Sequence, residues 1–487
     1  MRLDGQVLLS YHHLSLAAAC LTALVLRMDG LTRELSHDEA YSWVMFASRS
    51  YEYLASNYFV PNNHIFHSAL MRLAVQIFGK SEWVIRLPAI TAGVLAVPAL
   101  FFLCRALANS TVGHVAAWLI ACSPIHVSYS QTARGYSLLV LLAILSWACM
   151  VLALGGRRRW WVAFVACGFL SAWTVPSGIF HAAALMAWAG VVVLSKRDQR
   201  DARRLAIVAA ICAGLIAVAY WPLRSELSEA AQTWGLSLRD DPVALLGLLA
   251  DTVAMLLGQG SAGMVLGLAA LAGIALALRR LPSLGIYVAL VWIVPFLTAL
   301  IMGVAGVPRS YLFLLPSVIV SASYLMSTAV PTTVGKLVAT TGLAALLLSV
   351  SAGRSGTWKD PGYRATAEFL ASSGKAGDII VLPYIMDTPL GYYVGDTILE
   401  QLTQALRQHH IGRLLVVTHA TDARMKLGNY WLIRDDLMRS GIVFPTRHFE
   451  EVFASNSVRV QWLNQRDFAF SQVEMRPGRS RRDNSIR

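Results

Sequence analysis

The sequence predicts a polytopic α-helical membrane protein of about eleven transmembrane helices, followed by a small extracytoplasmic α/β domain. Of its 487 residues, 56% are hydrophobic and 14% charged, and the mean hydropathy is +0.55. Such a chain is too apolar for a soluble globular protein. Apolar runs of about 20 residues, the length that spans a bilayer as a helix, recur as far as Ser351. Beyond Arg354 the charge density rises and helix-like and strand-like segments alternate.

The predicted transmembrane segments are apolar runs with few ionisable residues at their centres. They cover residues 11–29, 86–104, 112–130, 136–154, 160–178, 181–195, 204–222, 261–278, 284–304, 308–327 and 333–351. A further apolar stretch, residues 242–257, is interrupted by Asp251 and only marginally long enough to span. We interpret it as an interfacial helix.

Basic clusters indicate which ends of these helices face the cytoplasm. The main clusters are Arg157 to Arg159, residues 196–204, Arg279 with Arg280, and Lys336. The formal net charge of +13 is typical of cytoplasmic loops facing anionic lipids, so nucleic acid is not expected as a partner. If the N-terminus is cytoplasmic and the number of helices is odd, we expect residues 30–86 and the C-terminal domain on the outer side of the inner (cytoplasmic) membrane.

The predicted domain organisation has three parts. Residues 1–352 form the transmembrane domain, residues 353–475 the α/β domain, and residues 476–487 a basic disordered tail. Within the α/β domain the pattern predicts helices at 365–372, 399–408 and 435–440 and strands at 378–382, 413–418, 449–453 and 457–462.

The first outer loop, residues 30–86, carries adjacent carboxylates at Asp38 and Glu39. An acid at the bilayer centre costs about 2.5 to 3.5 kcal/mol, so both are expected at the water-facing rim. One carboxylate there can accept a proton from a substrate hydroxyl while the other orients a neighbour or caps a helix. A solvated loop acid or a helix N-cap explains the same pattern without catalysis.

His64 and His67 lie three residues apart in the same loop and can share a helical face. That spacing suits hydrogen bonds to a sugar or phosphate, or the beginning of a metal site. No third ligand follows at a recognisable spacing, so the sequence predicts no metal site. A polar cap on the next helix is the simpler alternative.

Three arginines, Arg86, Arg134 and Arg309, fall at outer ends of predicted helices, against the positive-inside bias. A guanidinium binds phosphate oxygens with two parallel hydrogen bonds, and a departing phosphate gains charge during glycosyl transfer. Contact with lipid headgroups is the alternative for each. Their common level at the membrane favours a shared anion site.

Several segments together resemble the GT-C class of polyprenyl-phosphate-sugar-dependent glycosyltransferases, in particular bacterial relatives of the dolichyl-phosphate-mannose protein mannosyltransferases. The resemblance covers about residues 30–320. It is carried by His37-Asp38-Glu39-Ala40-Tyr41, Asn62-Asn63-His64, residues 78–88, residues 123–136 and Arg309 to Pro316.

This resemblance implies that Asp38 in the first outer loop supplies the catalytic carboxylate and that Arg134 lies near the phosphate of a lipid donor. It implies an inverting transfer that uses no nucleotide sugar. Beside these we expect Arg86 or Arg309 at the phosphate, and Glu39, Tyr41, His64, His67 and Tyr136 as positioning groups.

The expected partners are membrane lipids, a polyprenyl-phosphate-linked sugar and an acceptor hydroxyl on a protein, lipid or glycan. The sequence leaves open the identity of the sugar and the assistance of a divalent cation. Two other functions also remain open: a flippase of lipid-linked sugars, and a polymerase or ligase of envelope polysaccharide. Transporters place polar residues near the membrane midplane, whereas these acids and arginines gather at one rim, which favours the enzyme.

Overall fold

The computed structural model describes residues 5–258, 260–355, 361–373, 379–381, 389–393, 413–419, 442–443, 450–454, 458–464 and 469–470. The chain divides into two compact units. The first comprises Met1–Arg33 and Tyr41–Trp358, and the second comprises Glu34–Ala40 and Lys359–Arg487. The short segment with the acidic motif therefore belongs to the same unit as the C-terminal region.

The first unit is helical apart from one two-stranded ladder. Its helices are α1 (Gly5–Met28), α2 (His37–Tyr41, shared with the second unit), a π-helix (Ser42–Ala47), α3 (Tyr51–Ser56), α4 (Ile65–Phe78), α5 (Glu82–Leu107), α6 (Ser110–Cys122), α7 (Pro124–Ser130), α8 (Tyr136–Leu154), α9 (Arg159–Thr174), α10 (Gly178–Lys196), α11 (Gln199–Tyr220), α12 (Arg224–Trp234), α13 (Ala244–Leu257), α14 (Gly260–Arg280), α15 (Pro282–Met302), a 3-10 helix (Pro308–Leu314), α16 (Leu315–Ala329) and α17 (Thr333–Ser355). Strands β1 (Leu236–Ser237) and β2 (Val304–Ala305) pair antiparallel.

Eight helical segments among the described residues are long and apolar enough to cross a membrane. They are α5, α8, α10, α11, α14, α15, the segment Pro308–Ala329, and α17 through Val350. Each coincides with a predicted span, so the chain is a multi-pass helical membrane protein. The count of eleven stays a prediction.

The three other predicted spans look different in the structure. Residues 112–130 form a pair, α6 and α7, bent by 59°. The break falls at Ser123, which is extended because the following Pro124 has no N–H and crowds a helical predecessor. Helix α9 has only 16 residues, and the described apolar part of α1 begins at His13.

The core of the first unit surrounds α8 and the segment Pro308–Ala329, of whose most apolar 18 residues 83% are buried. Of the most apolar 18 residues of α8, 72% are buried among neighbouring helices. Of the corresponding residues of α11, only 11% are buried. Helix α11 instead exposes apolar residues such as Ile207, Ile211 and Val218. In a membrane such a surface faces lipid. Helix α13 covers the predicted interfacial stretch, and its 14 residues reach only about 21 Å, too short for a span.

The second unit contains helix α18 (Tyr363–Ser373) and a four-stranded mixed sheet. The sheet order is β3 (Ile379–Val381), β4 (Arg413–His419), β7 (Val458–Asn464) and β6 (Glu450–Ala454). Strands β3 and β4 are parallel and the other pairs antiparallel. Strands β5 (Ile442–Val443) and β8 (Ala469–Phe470), which the sequence did not predict, form a separate pair.

The described helix and the four strands of the larger sheet fall where the sequence pattern predicts them. The predicted helices at 399–408 and 435–440 and the tail at 476–487 lie outside the described residues. The α/β domain as a whole, with its boundaries, therefore stays a prediction.

Candidate functional site

The loop between α7 and α8 presents Arg134 to a group of polar side chains inside the first unit. Arg134 is buried, with 4% of its surface exposed. Its Nη1 donates to Asn62 Oδ1 at 2.9 Å and its Nη2 to Tyr136 Oη at 3.4 Å. Asn62 itself precedes α4, so two distant parts of the sequence meet at this guanidinium.

His64 is fixed by the same loop. Gly135 N–H donates to its Nδ1 at 2.7 Å, so in a neutral ring the proton lies on Nε2. The ring meets Tyr136 edge-on, with the centroids 4.8 Å apart. Any side chain on Gly135 would bring its Cβ to 2.9 Å from His64 Nδ1 and 2.7 Å from Thr174. Glycine is therefore required for this close approach.

Arg309 completes the group from the 3-10 helix that precedes α16. It is half-buried, and its Nε donates to Tyr136 Oη at 3.1 Å. Two guanidinium groups thus converge on one phenol oxygen. We call Asn62, His64, Arg134, Tyr136 and Arg309 the Arg134 cluster; all were within the segments that the sequence analysis singled out.

The positive charge of Arg134 affects the pKa values of two buried side chains, His67 and Tyr58. His67 is 1% exposed, and burial together with the positive charge of Arg134 lowers its pKa to about 3. His67 is therefore neutral at physiological pH. Burial raises the pKa of Tyr58, and the nearby Tyr136 adds to the shift while Arg134 opposes it. Both side chains are therefore neutral groups within the electrostatic influence of Arg134.

Arg86 has a different environment from the other two predicted arginines. Its Nη1 donates to the carbonyl oxygens of Leu31 at 2.8 Å, Arg33 at 2.9 Å and Gly30 at 3.4 Å. These bonds hold the chain that follows α1. Tyr41 is also buried, and its ring packs against Phe46 with the centroids 6.2 Å apart.

The acidic motif opens α2 within the second unit. Glu39 is 2% exposed, and its Oε2 accepts from Ser36 N–H at 3.0 Å and Ser36 Oγ at 2.9 Å. This is the Glu half of a capping box, in which the third helical residue reaches back to the N-cap. Asp38 differs, because 43% of its side chain is exposed and His37 Nδ1 lies 3.7 Å from its Oδ1. The two acids are therefore not equivalent.

The structure also reveals two carboxylates that the sequence analysis did not select. Glu226 on α12 accepts a hydrogen bond from the backbone N–H of Tyr58. Glu34 accepts from three backbone N–H groups at the beginning of α18. Neither contact has a local signal, because its partners lie 168 or more residues apart.

Among the described residues, no three His, Cys, Asp or Glu side chains are grouped as metal ligands. The predicted pair His64 and His67 is split by function: one ring bonds the 131–135 loop, and the other is buried as a neutral group.

Comparison with known proteins finds a family model that matches part of the chain. Residues 62–221 match the family model described as dolichyl-phosphate-mannose-protein mannosyltransferase. This segment contains four of the five members of the cluster: Asn62, which is its first residue, and His64, Arg134 and Tyr136. No curated protein matches the chain.

Solved structures share the fold over nearly the whole chain. ArnT from Cupriavidus metallidurans bound to undecaprenyl phosphate is 15% identical with a TM-score of 0.60, covering 93% of this chain and 98% of its own. AglB, an archaeal oligosaccharyltransferase from Archaeoglobus fulgidus in complex with an inhibitory peptide and a dolichol-phosphate, is 12% identical with a TM-score of 0.57, covering 96% and 75%.

These comparisons confirm the resemblance to the polyprenyl-phosphate-dependent glycosyltransferases that the sequence predicted. The solved structures show that this chain has their fold, and the family match supports an enzyme of the same class.

Proposed function

We propose that this protein is a membrane glycosyltransferase that moves a sugar from a polyprenyl-phosphate donor to an acceptor hydroxyl, at the outer face of the cytoplasmic membrane. The observation that carries the proposal is the convergence of Arg134 and Arg309 on Tyr136 Oη, at 3.4 and 3.1 Å. Two guanidinium groups that meet at one point can bind the same anion through charge-assisted hydrogen bonds.

A phosphate on a lipid is the anion that fits this arrangement. Guanidinium groups bind phosphate oxygens bidentately, and Asn62 fixes the plane of Arg134 through Nη1. As the bond from the anomeric carbon to the phosphate oxygen breaks, its electron pair passes to that oxygen. Preorganised positive charge is more favourable for that developing charge than for the intact donor.

Asp38 is proposed as the general base. Its carboxylate takes the proton of the acceptor hydroxyl while the acceptor oxygen bonds to the anomeric carbon from the face opposite the phosphate. The configuration at that carbon is therefore inverted. The support is that Asp38 remains substantially exposed, whereas the carboxylate of Glu39 is engaged by Ser36. We accordingly restrict Glu39 to holding α2.

The remaining predicted residues take positioning roles in this proposal. His64 and Tyr136 hold the 131–135 loop and the Arg134 guanidinium in place. His67 is a neutral side chain that adds no charge near Arg134. Arg86 fixes the backbone of residues 30–33 that leads into the acidic motif. Because Asp38 and the Arg134 cluster belong to different units, their roles are assigned and tested separately.

The proposal is tested with purified protein in lipid nanodiscs, incubated with a panel of radiolabelled polyprenyl-phosphate sugars and lipid-linked oligosaccharides. We expect one donor to lose its label to water or to acceptors in a membrane extract, and we expect Arg134→Gln to abolish that loss. Parallel reactions with a chelator report any need for a divalent cation.

Sealed vesicles separate the enzyme from the flippase. Movement of the same lipids across the bilayer with every glycosidic bond intact would overturn the proposal in favour of transport. Label transferred only from preassembled oligosaccharide would identify a polymerase or ligase instead of a monosaccharide transferase.

A further inference from the structure

Glu34 is a buried carboxylate, 4% exposed, that closes the beginning of helix α18. Its Oε2 accepts from the backbone N–H groups of Gly362 at 2.7 Å and Tyr363 at 2.8 Å, and its Oε1 accepts from Arg364 at 2.8 Å. The first N–H groups of a helix have no partner within the helix and carry its partial positive charge. A carboxylate with two oxygens satisfies three of them at once.

The residue after Glu34 makes a second contact within the same unit. Leu35 N–H donates to Tyr393 Oη at 3.0 Å, and Leu35 itself is fully buried. The ring of Tyr393 lies under the guanidinium of Arg364 at 5.7 Å and meets Tyr392 edge-on at 5.0 Å. The hydroxyl that receives Leu35 is therefore itself held in place by α18 and by the 389–393 segment.

Helix α2 begins immediately after these two contacts. Ser36 accepts the N–H of Ala40 through its carbonyl oxygen at 2.9 Å, and its own N–H is taken by Glu39. Asp38 thus follows an unbroken run of fixed residues that begins at Glu34. If the Glu34 carboxylate moved, the backbone of residues 34–37 would move with it and would displace the Asp38 carboxylate.

We propose that Glu34 is a positioning residue through which the C-terminal region sets the orientation of Asp38. This inference rests on the proposed role of Asp38 as general base. In this proposal the C-terminal region contributes to the transfer step itself, because α18 and Tyr393 bind the two residues, Glu34 and Leu35, that precede the acidic motif. Glu34 touches no substrate in this account.

The test compares three full-length variants with wild type in nanodiscs, using the donor that wild type consumes. Glu34→Gln keeps the shape of the side chain but removes its charge, and Tyr393→Phe removes only the hydroxyl. Glu368→Gln is the matched control, since it removes the same charge from an exposed position on the same helix. Amide hydrogen exchange of residues 361–373 is measured beside kcat and KM.

We expect Glu34→Gln to speed exchange at residues 362–364 and to lower kcat about 10- to 100-fold, as a displacement of about 1 Å does in other sites. KM for the donor is expected to stay within about twofold, because the donor phosphate is bound elsewhere. Tyr393→Phe is expected to lower kcat by a smaller factor in a protein of normal thermal stability, and Glu368→Gln to match wild type.

Two results would overturn the inference. Unchanged exchange at residues 362–364 in Glu34→Gln would show that the contact does not hold α18. Faster exchange with kcat near wild type in both Glu34→Gln and Tyr393→Phe would show that the contact does not orient the base. Asp38→Asn, run in the same assay, separates the two claims: its inactivity keeps the proposed base when only this inference fails, and its full activity overturns both.

Discussion

Replacement of Arg134 by lysine probes the fork geometry of the candidate phosphate site while keeping its charge. The guanidinium of Arg134 bonds Asn62 at 2.9 Å and Tyr136 at 3.4 Å and leaves its plane fixed against the Tyr136 ring, 5.5 Å from the centroid. An ammonium group has neither the plane nor the paired donors. If Arg134 binds the donor phosphate as proposed, Arg134→Lys removes at least one directed hydrogen bond to the departing phosphate.

A hydrogen bond to a charged group contributes about 1.5 to 3 kcal/mol. Since about 1.4 kcal/mol changes a rate tenfold, Arg134→Lys should lower kcat/KM about 10- to 150-fold. If the bond strengthens as the phosphate departs, the loss appears in kcat more than in KM. Arg134→Gln removes the charge as well and should lose more.

The assay measures initial rates of label release from the donor lipid in nanodiscs, over a range of donor concentrations. Arg72→Lys is the control. Arg72 lies outside the Arg134 cluster. Its guanidinium likewise makes two hydrogen bonds, here to the backbone carbonyl oxygens of Ala47 and Ser48, and lies 5.2 Å over an aromatic ring, that of Tyr51. Arg134→Lys with kcat/KM within about twofold of wild type and of Arg72→Lys would refute the assignment.

Three further predictions concern the surroundings of the site. Gly135→Ala should lower the free energy of unfolding by about 1 to 3 kcal/mol and reduce label release, because the new Cβ would lie 2.7 Å from Thr174; wild-type thermal stability and rate would contradict this. Glu39→Gln should keep the capping box and the rate, whereas Glu39→Ala should cost about 0.5 to 2 kcal/mol of stability, measured by thermal unfolding; an inactive but stable Glu39→Gln would assign Glu39 to the chemistry. His67, whose pKa is about 3 when folded and about 6.5 when unfolded, binds more protons in the unfolded state between those values. Stability should therefore fall below about pH 6.5, by up to about 1.4 kcal/mol per pH unit, and His67→Gln should show a shallower fall; equal pH slopes would refute the assignment.

Sequence patterns select residues of the Arg134 cluster but do not predict the contacts between them. Arg134 and Arg309 stand out in the sequence because each falls at a predicted outer helix end, against the positive-inside bias. The positive-inside rule predicts the depth of each arginine along the membrane normal, but it does not predict which side chains lie beside it. Their convergence on Tyr136 depends on how helices pack, which apolar periodicity does not encode.

Arg86 illustrates the limit of the same rule. Like the other two arginines, Arg86 falls at a predicted outer helix end. Its guanidinium, however, donates hydrogen bonds to backbone carbonyl oxygens of residues 30–33. Glu39, in contrast, carried a readable local signal. The spacing Ser36-x-x-Glu39 before a helix is a capping box, so its structural role was available from the sequence.

Glu34 shows what sequence patterns leave out. Its partners at residues 362–364 lie 328 or more positions along the chain, and no periodicity links the two segments. Sequence patterns accordingly group residues 30–86 with the transmembrane domain. The break at Ser123 and Pro124 was missed for a different reason: the apolar run continues through it, and hydropathy outweighed the proline.

The measurement that tests the central claim most directly compares wild type with Asp38→Asn for release of sugar from the donor lipid in nanodiscs. We predict that wild type cleaves one polyprenyl-phosphate sugar and that folded Asp38→Asn loses about 100- to 10,000-fold in rate. An Asp38→Asn protein that cleaves the donor at the wild-type rate would contradict the account of the reaction.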